Sequence, residues 1–306
     1  MGMGKYFMRR YVLALCFCLG LLAISDGTIA HAQDFSTLAG TERALNQFEK
    51  VKLHSFADRD AFLAIIDRTL GLKNIKGSDT LFAKLPRSPF TITGRRGNNQ
   101  AVPCQIFIPA KITPGSGTEI FADLMRGWFG NRLNYASTAE VTFGWLMRHE
   151  VRHCDPTHFG DKGDKERDDE IEADLFALNA VTDPQMHDQL AQDALAFRMI
   201  TASLFASKSH MTGLSLKRAL AGATPAAYPP AKDEIAAFLT VRKQVFDHAK
   251  AISVAARPSN QDVIRAVIEL SQTSQDNPLA TEILGDLDQA IAHFAPKLHS
   301  KNQSVQ

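Results

Sequence analysis

His149-Glu150-Val151-Arg152-His153 places two imidazoles and a carboxylate within one helical turn. On an α-helix, residues four apart share a face, so both imidazoles can meet one divalent cation from the same side. Glu150 then stands beside them, directed at the space next to the ion, where it can take a proton from water. Zinc suits such a site, because it lowers the pKa of its water to about 7. A catalytic zinc ion takes three protein ligands and keeps a fourth position open. The third candidate lies in Glu170-Ile171-Glu172-Ala173-Asp174, with sixteen residues between His153 and Glu170. That is room for a loop that reverses direction and a second helix. Asp174, one turn further on, is placed to accept the spare N–H of a ligating imidazole. Glu172 is the rival ligand, but it points about 200° around the helix from Glu170, so only one of the two can face the ion.

The elements that must hold these residues follow from their flanks. Ser137-Thr-Ala-Glu140 has the pattern of a capping box, and Val141, Trp145, Leu146 and Met147 supply an apolar face. This helix should run to about Cys154 and end before Pro156. Residues 155–168, polar and carrying Gly160 and Gly163, read as a loop. A second helix is expected from Asp168 to about Val181, with Asp168 and Asp169 offsetting its dipole. Beyond Pro184 the periodicity predicts helices over 185–206, 214–221, 231–252, 260–271 and 279–295, then a disordered tail over 298–306. Upstream, residues 41–71 read as two helices, the first carrying Leu45, Phe48, Val51 and Leu53 and the second stopping at Gly71. Residues 89–109 read as a β-hairpin around a loop at 94–99, and 117–129 as a helix. Pro103 and Pro109 mark the second strand as an edge, and segment 100–109 is a candidate to bind a polypeptide substrate as an added strand. The expected fold class is α+β, mostly α: a zincin-like domain with a small antiparallel sheet over the motif helix and a helical C-terminal half.

Composition narrows the partners. Of 306 residues, 45% are hydrophobic and 22% charged, with a formal net charge of +1, so nothing argues for nucleic acid or an anionic membrane. Lys5, Arg9 and Arg10, the apolar run Tyr11 to Ile24, and Ala30-His31-Ala32 read as a signal peptide cleaved near Ala32. The run is shorter than the ~20 residues a spanning helix needs. The mature chain, 33–300, is expected as a single exported domain, periplasmic or secreted, without a membrane span. It divides into N-terminal helices (33–85), a zinc-site core (86–182) and a helical part (183–297). Cys104 and Cys154 remain after the signal, and an oxidising compartment would let them form one disulfide.

H-E-x-x-H at 149–153 followed by E-x-x-A-D at 170–174 resembles the gluzincin metallopeptidases of the CAAX prenyl protease type, in their soluble exported branch. The resemblance implies one catalytic zinc ion on His149, His153 and Glu170, Glu150 as general base, and Asp174 in support. Tyr228-Pro229-Pro230 and the residues after it resemble a further segment of that family, usually His-Pro-Pro followed by Arg-Ile. Here Tyr228 replaces the histidine and Glu234 the arginine. Tyr228 is accordingly the first candidate to stabilise the oxyanion, before His158, His187, His210 and Arg152. The motifs cover 149–174 and, weakly, 228–237, under a fifth of the mature chain. A metzincin scheme fits less well, because Pro156 and Phe159 stand where it needs Gly and His. The implied activity is hydrolysis of peptide bonds in exported or misfolded envelope proteins. The alternative is a non-catalytic exported binding protein with a degenerate or structural metal site.

Overall fold

Three short runs rich in β-branched and aromatic residues become strands in the computed structural model: β1 (Val51–Phe56), β2 (Phe90–Ile92) and β3 (Cys104–Pro109). The residues described are 34–46, 50–71, 85–93, 103–113, 115, 120–130, 133–158, 163–205 and 207–303. The expected signal peptide and the hairpin loop at 94–99 lie outside them. The strand order is β1-β3-β2. β2 and β3 pair antiparallel, with Phe90 opposite Phe107 and Ile92 opposite Gln105, as a hairpin requires. β1 pairs parallel with β3, Val51 opposite Cys104 and Phe56 opposite Pro109. The sheet is therefore mixed rather than antiparallel.

Two further expectations are corrected here. Val51 and Leu53 belong to a strand and not to a helix running on from Leu45, because Asn46 caps α1 (Leu38–Leu45). β3 is the central strand, not an edge. Pro103 precedes it and Pro109 ends it, so neither interrupts the ladder, and with a strand on each side it cannot receive a substrate strand. All six residues of β3 are buried and alternate between two cores. Phe107 packs with Phe56 and with Phe62 and Ile66 of α2 (Arg59–Leu70). Ile106 and Ile108 face the main helical core. Cys104 shares their face by the two-residue period of a strand.

The main core is built by helices. α3 (Ile120–Phe129) and α4 (Ala139–Arg152) follow the sheet, and α5 (Asp164–Asn179) packs against α4. Then come α6 (Pro184–Phe205), α7 (Gly213–Leu220), α8 (Ala231–Ile252), α9 (Asn260–Ser271), α10 (Pro278–Phe294) and α11 (Pro296–Gln303). α10 lies against α6, α8 and α9. The fold is α+β and mostly α, and Gln33–Gln306 forms one compact unit. Among the described residues, no helix is long and apolar enough to cross a membrane. The stretch after Pro296 is helical through Gln303 rather than a loose tail. Leu298 packs on the core and His299 Nε2 meets Asp288 Oδ1 at 2.7 Å.

Candidate metal centre

α4 begins with a different cap from the one its sequence suggests. Thr138 is the N-cap, its hydroxyl accepting from Val141 N. Ser137 instead donates to Asp193 Oδ2 at 2.5 Å, because buried Asp193 on α6 collects the backbone N–H groups of Ala136 and Ser137. The middle of α4 is buried from Thr142 to Met147, so the helix is wedged between sheet and helices and its last turn is aimed by packing. At that turn Cys154 forms a disulfide with Cys104 of β3, Cα to Cα 5.5 Å.

α5 starts at Asp164, four residues earlier than its sequence suggests, so Asp164 and Glu166 occupy the first turn and Asp168 and Asp169 do not. The earlier start leaves Glu170 and Asp174 in the helix body, facing α4. His149 Nε2 and His153 Nε2 stand 3.1 Å apart. Glu170 Oε2 is 3.3 Å from His149 Nε2, and Oε1 is 3.6 Å from His153 Nε2. Three bonds of about 2.0–2.1 Å at tetrahedral angles would hold their donor atoms about 3.3 Å apart, so these three side chains could hold an ion of zinc's size, Glu170 turning a different oxygen to each imidazole. Glu170 Oε2 is also buried and makes no hydrogen bond of acceptable geometry, an orphan a cation would satisfy.

Behind these three side chains, His149 Nδ1 meets Asp174 Oδ1 at 2.9 Å. Arg198 of α6 holds both oxygens of Asp174 at 2.7 Å from Nε and NH2. This fixes the imidazole with Nε2 toward the ion position. Glu172, the rival ligand, points away. It is half-exposed and pairs with Arg152 and with His158 Nε2, the latter at 3.0 Å. His158, Asp169 and Glu172 are a second group within metal-ligand reach, but Glu172 already carries the Arg152 guanidinium.

Charge follows from these contacts. Burial opposes protonation of His149, but Asp174 and Glu170 outweigh it and push its pKa up to about 10. Burial and the charge on His149 lower His153 to about 4. Burial raises Glu150, against the charge of His149 and the hydroxyl of Thr91. Thr91 of β2 donates from 2.7 Å to Glu150 Oε2 and also lies 3.1 Å from the Glu150 carbonyl. The sheet thus touches the motif helix at its carboxylate.

Glu150 and His149 line a cleft of about 440 Å3, together with Arg198 and His210. His210 Nε2 is 3.5 Å from Glu170 Oε2, and its Nδ1 is 2.9 Å from Ser207 Oγ and 3.2 Å from Ser209 Oγ. Tyr228 lines a separate groove with Arg167, Ile171 and Leu175. Arg152 and His158 are engaged by Glu172, and His187 sits on α6 beside Asp188. Of the five oxyanion candidates, His210 is the one in the cleft. Glu234, where the resembled family has arginine, is buried. It accepts from Leu214 N, Ser215 N and Arg167, and so caps α7. Thr91 and Arg198 carried no motif. The one signal for Arg198 is a lone cation inside the apolar stretch Leu195 to Ile200. No protein-family model, curated protein or solved structure matches this chain.

Proposed function

We propose that the chain is an exported zinc metallopeptidase that hydrolyses peptide bonds, similar in its site to the gluzincins of the CAAX prenyl protease type. The observation that carries this reading is the trio His149, His153 and Glu170 at 3.1–3.6 Å spacing, with Glu150 beside it on a cleft. Those three residues would hold the ion. When bound, zinc supplies Lewis-acid polarisation of a carbonyl and a water of lowered pKa. Glu150, lining the cleft, is placed to take a proton from a water there and to pass it to the leaving amine. Its raised pKa, set by burial, suits a group that must hold a proton briefly. Thr91 keeps the carboxylate turned toward the cleft. Ser207 and Ser209 can donate to His210 Nδ1, which places the ring proton on Nε2, the nitrogen 3.5 Å from Glu170 Oε2 and so beside the place where an oxyanion would develop. His210 takes over the role first expected of Tyr228. The Cys104–Cys154 bridge supports an oxidising compartment.

The test is Glu150→Gln. Zinc content should stay at one per chain while casein cleavage falls by about 10²–10⁴-fold. Full turnover in that variant would exclude the assignment. The rival reading, a non-catalytic binding protein, is favoured by Glu234 and Tyr228 standing where the family has its catalytic-segment arginine and histidine. It predicts zinc binding with no chelator-sensitive cleavage in the wild type.

A further inference from the structure

The walls of the cleft carry information about substrate that the metal ligands do not. Leu124 and Trp128 of α3 line it from one helix, Phe197 and Phe205 of α6 from another, and Leu146 lies one turn before Glu150 on α4. The Trp128 and Phe205 rings meet edge to face, centroids 5.8 Å apart. Phe205 is 52% exposed, the one aromatic among the large hydrophobic side chains left exposed in the described residues. Leaving an aromatic ring half in water forgoes burial that a core position would supply, unless something else covers it. Arg87, exposed at the same cleft, makes no ion pair among the described residues. The volume, about 440 Å3, is within the ~300–1,000 Å3 of sites that enclose ligands.

Resting on the peptidase reading, we propose that the cleft selects polypeptides with a large apolar residue, Phe, Leu or Met, next to the scissile bond, and rejects Lys and Arg there. The apolar walls reward the removal of an alkyl or aromatic side chain from water and penalise stripping water from a charged one. The Arg87 guanidinium adds like-charge repulsion against a cationic side chain. Because Glu150 and His149 line the same cleft, a side chain seated there has its own backbone close to them. Large apolar residues are buried in folded proteins and exposed in unfolded ones, so the same selectivity directs the enzyme to unfolded clients.

The experiment uses the zinc-loaded chain and quenched peptides that differ at one residue flanking the cleavage point: Phe, Leu, Gly, Glu or Lys. kcat/KM for Phe should exceed that for Gly and Lys by about 10²-fold or more. Trp128→Ala should collapse the Phe-to-Gly ratio by at least about tenfold. If that variant does not fold, Phe205→Ser, at an exposed position, gives the same readout. Equal turnover of Phe and Lys peptides, or an unchanged ratio in the variants, overturns the proposal. If no peptide is cleaved, the peptidase reading fails by itself. Binding of the same peptides to the Glu150→Gln chain, read by fluorescence anisotropy, then decides the cleft. A Kd for Phe at least tenfold below that for Lys upholds the selectivity, and equal Kd values sink it.

Discussion

His149 and His153 are one turn apart on one helix yet carry opposite pKa shifts, up to about 10 and down to about 4. Asp174 and Glu170 stand against the first, and the charge on the first weighs on the second. At neutral pH these shifts put one positive charge on the pair, on His149, with His153 neutral. Zinc ligands must be deprotonated, so uptake of zinc should release about one proton. Affinity should accordingly rise with pH up to the vicinity of His149's value. Calorimetric titration in buffers of different ionisation enthalpy measures this directly, and release of no proton would show that His149 is already neutral in the metal-free protein, against its raised pKa. Glu170→Ala should weaken zinc binding more than about 100-fold, since loss of a residue behind the ligands already costs 10–100-fold. Glu172→Ala should leave zinc in place, because its partners are Arg152 and His158. At this scale the spacing of His149, Glu150, His153, Glu170 and Asp174 was legible in the sequence, as helical geometry is a local rule. Thr91 and Arg198 were not legible as site residues, and His210 stood only as one of five oxyanion candidates, because each reaches the centre from a different element.

The element that aims the two imidazoles is α4, and its last turn is tied covalently. The Cys104–Cys154 bridge joins the residue after His153 to the central strand across a sequence separation of 50. Breaking it should cost about 2–4 kcal/mol of stability, mainly by freeing the unfolded chain. It should also loosen His153, which is the C-cap of α4 and has no further helical turn to hold it. Denaturant unfolding and zinc competition, each with and without reductant or in Cys104→Ala/Cys154→Ala, test both effects. A zinc affinity unmoved by reduction would mean that packing alone positions His153. The helices from Pro184 to Phe294 were legible nearly to the residue from apolar periodicity and from Pro and Gly stops, whereas α11 was expected as a loose tail. β1 was not, since Val51 and Leu53 extend the apolar series of α1 as readily as they alternate in a strand. The pairing with β3, more than fifty positions downstream, decides between the two.

Across the whole molecule, Asp193 joins distant parts of the chain. Fully buried, it accepts from Ala136 N and Ser137 N at the start of α4 and meets His293 Nε2 of α10 at 2.6 Å. Burial would raise its pKa, but His293 and Ser137 outweigh that and lower it. A carboxylate with a lowered folded pKa stabilises fully above its unfolded value of about 4. That stability is lost as the pH falls further, through the folded value. Asp193→Asn should therefore lower neutral-pH stability by about 2 kcal/mol and flatten the acid side of the curve. Urea midpoints between about pH 3 and 7 measure it, and parallel curves for variant and wild type would deny Asp193 this part. What the sequence determined by itself is what local periodicity governs: the helical half, the hairpin strands, and two imidazoles with a carboxylate on one turn. The tertiary structure decided the rest. It put β1 beside β3, made Glu170 rather than Glu172 face the imidazoles, and sent Tyr228 to another groove while His210 came to the cleft. Those outcomes depend on which buried groups find partners across the fold, and that sum is taken over residues the chain holds far apart.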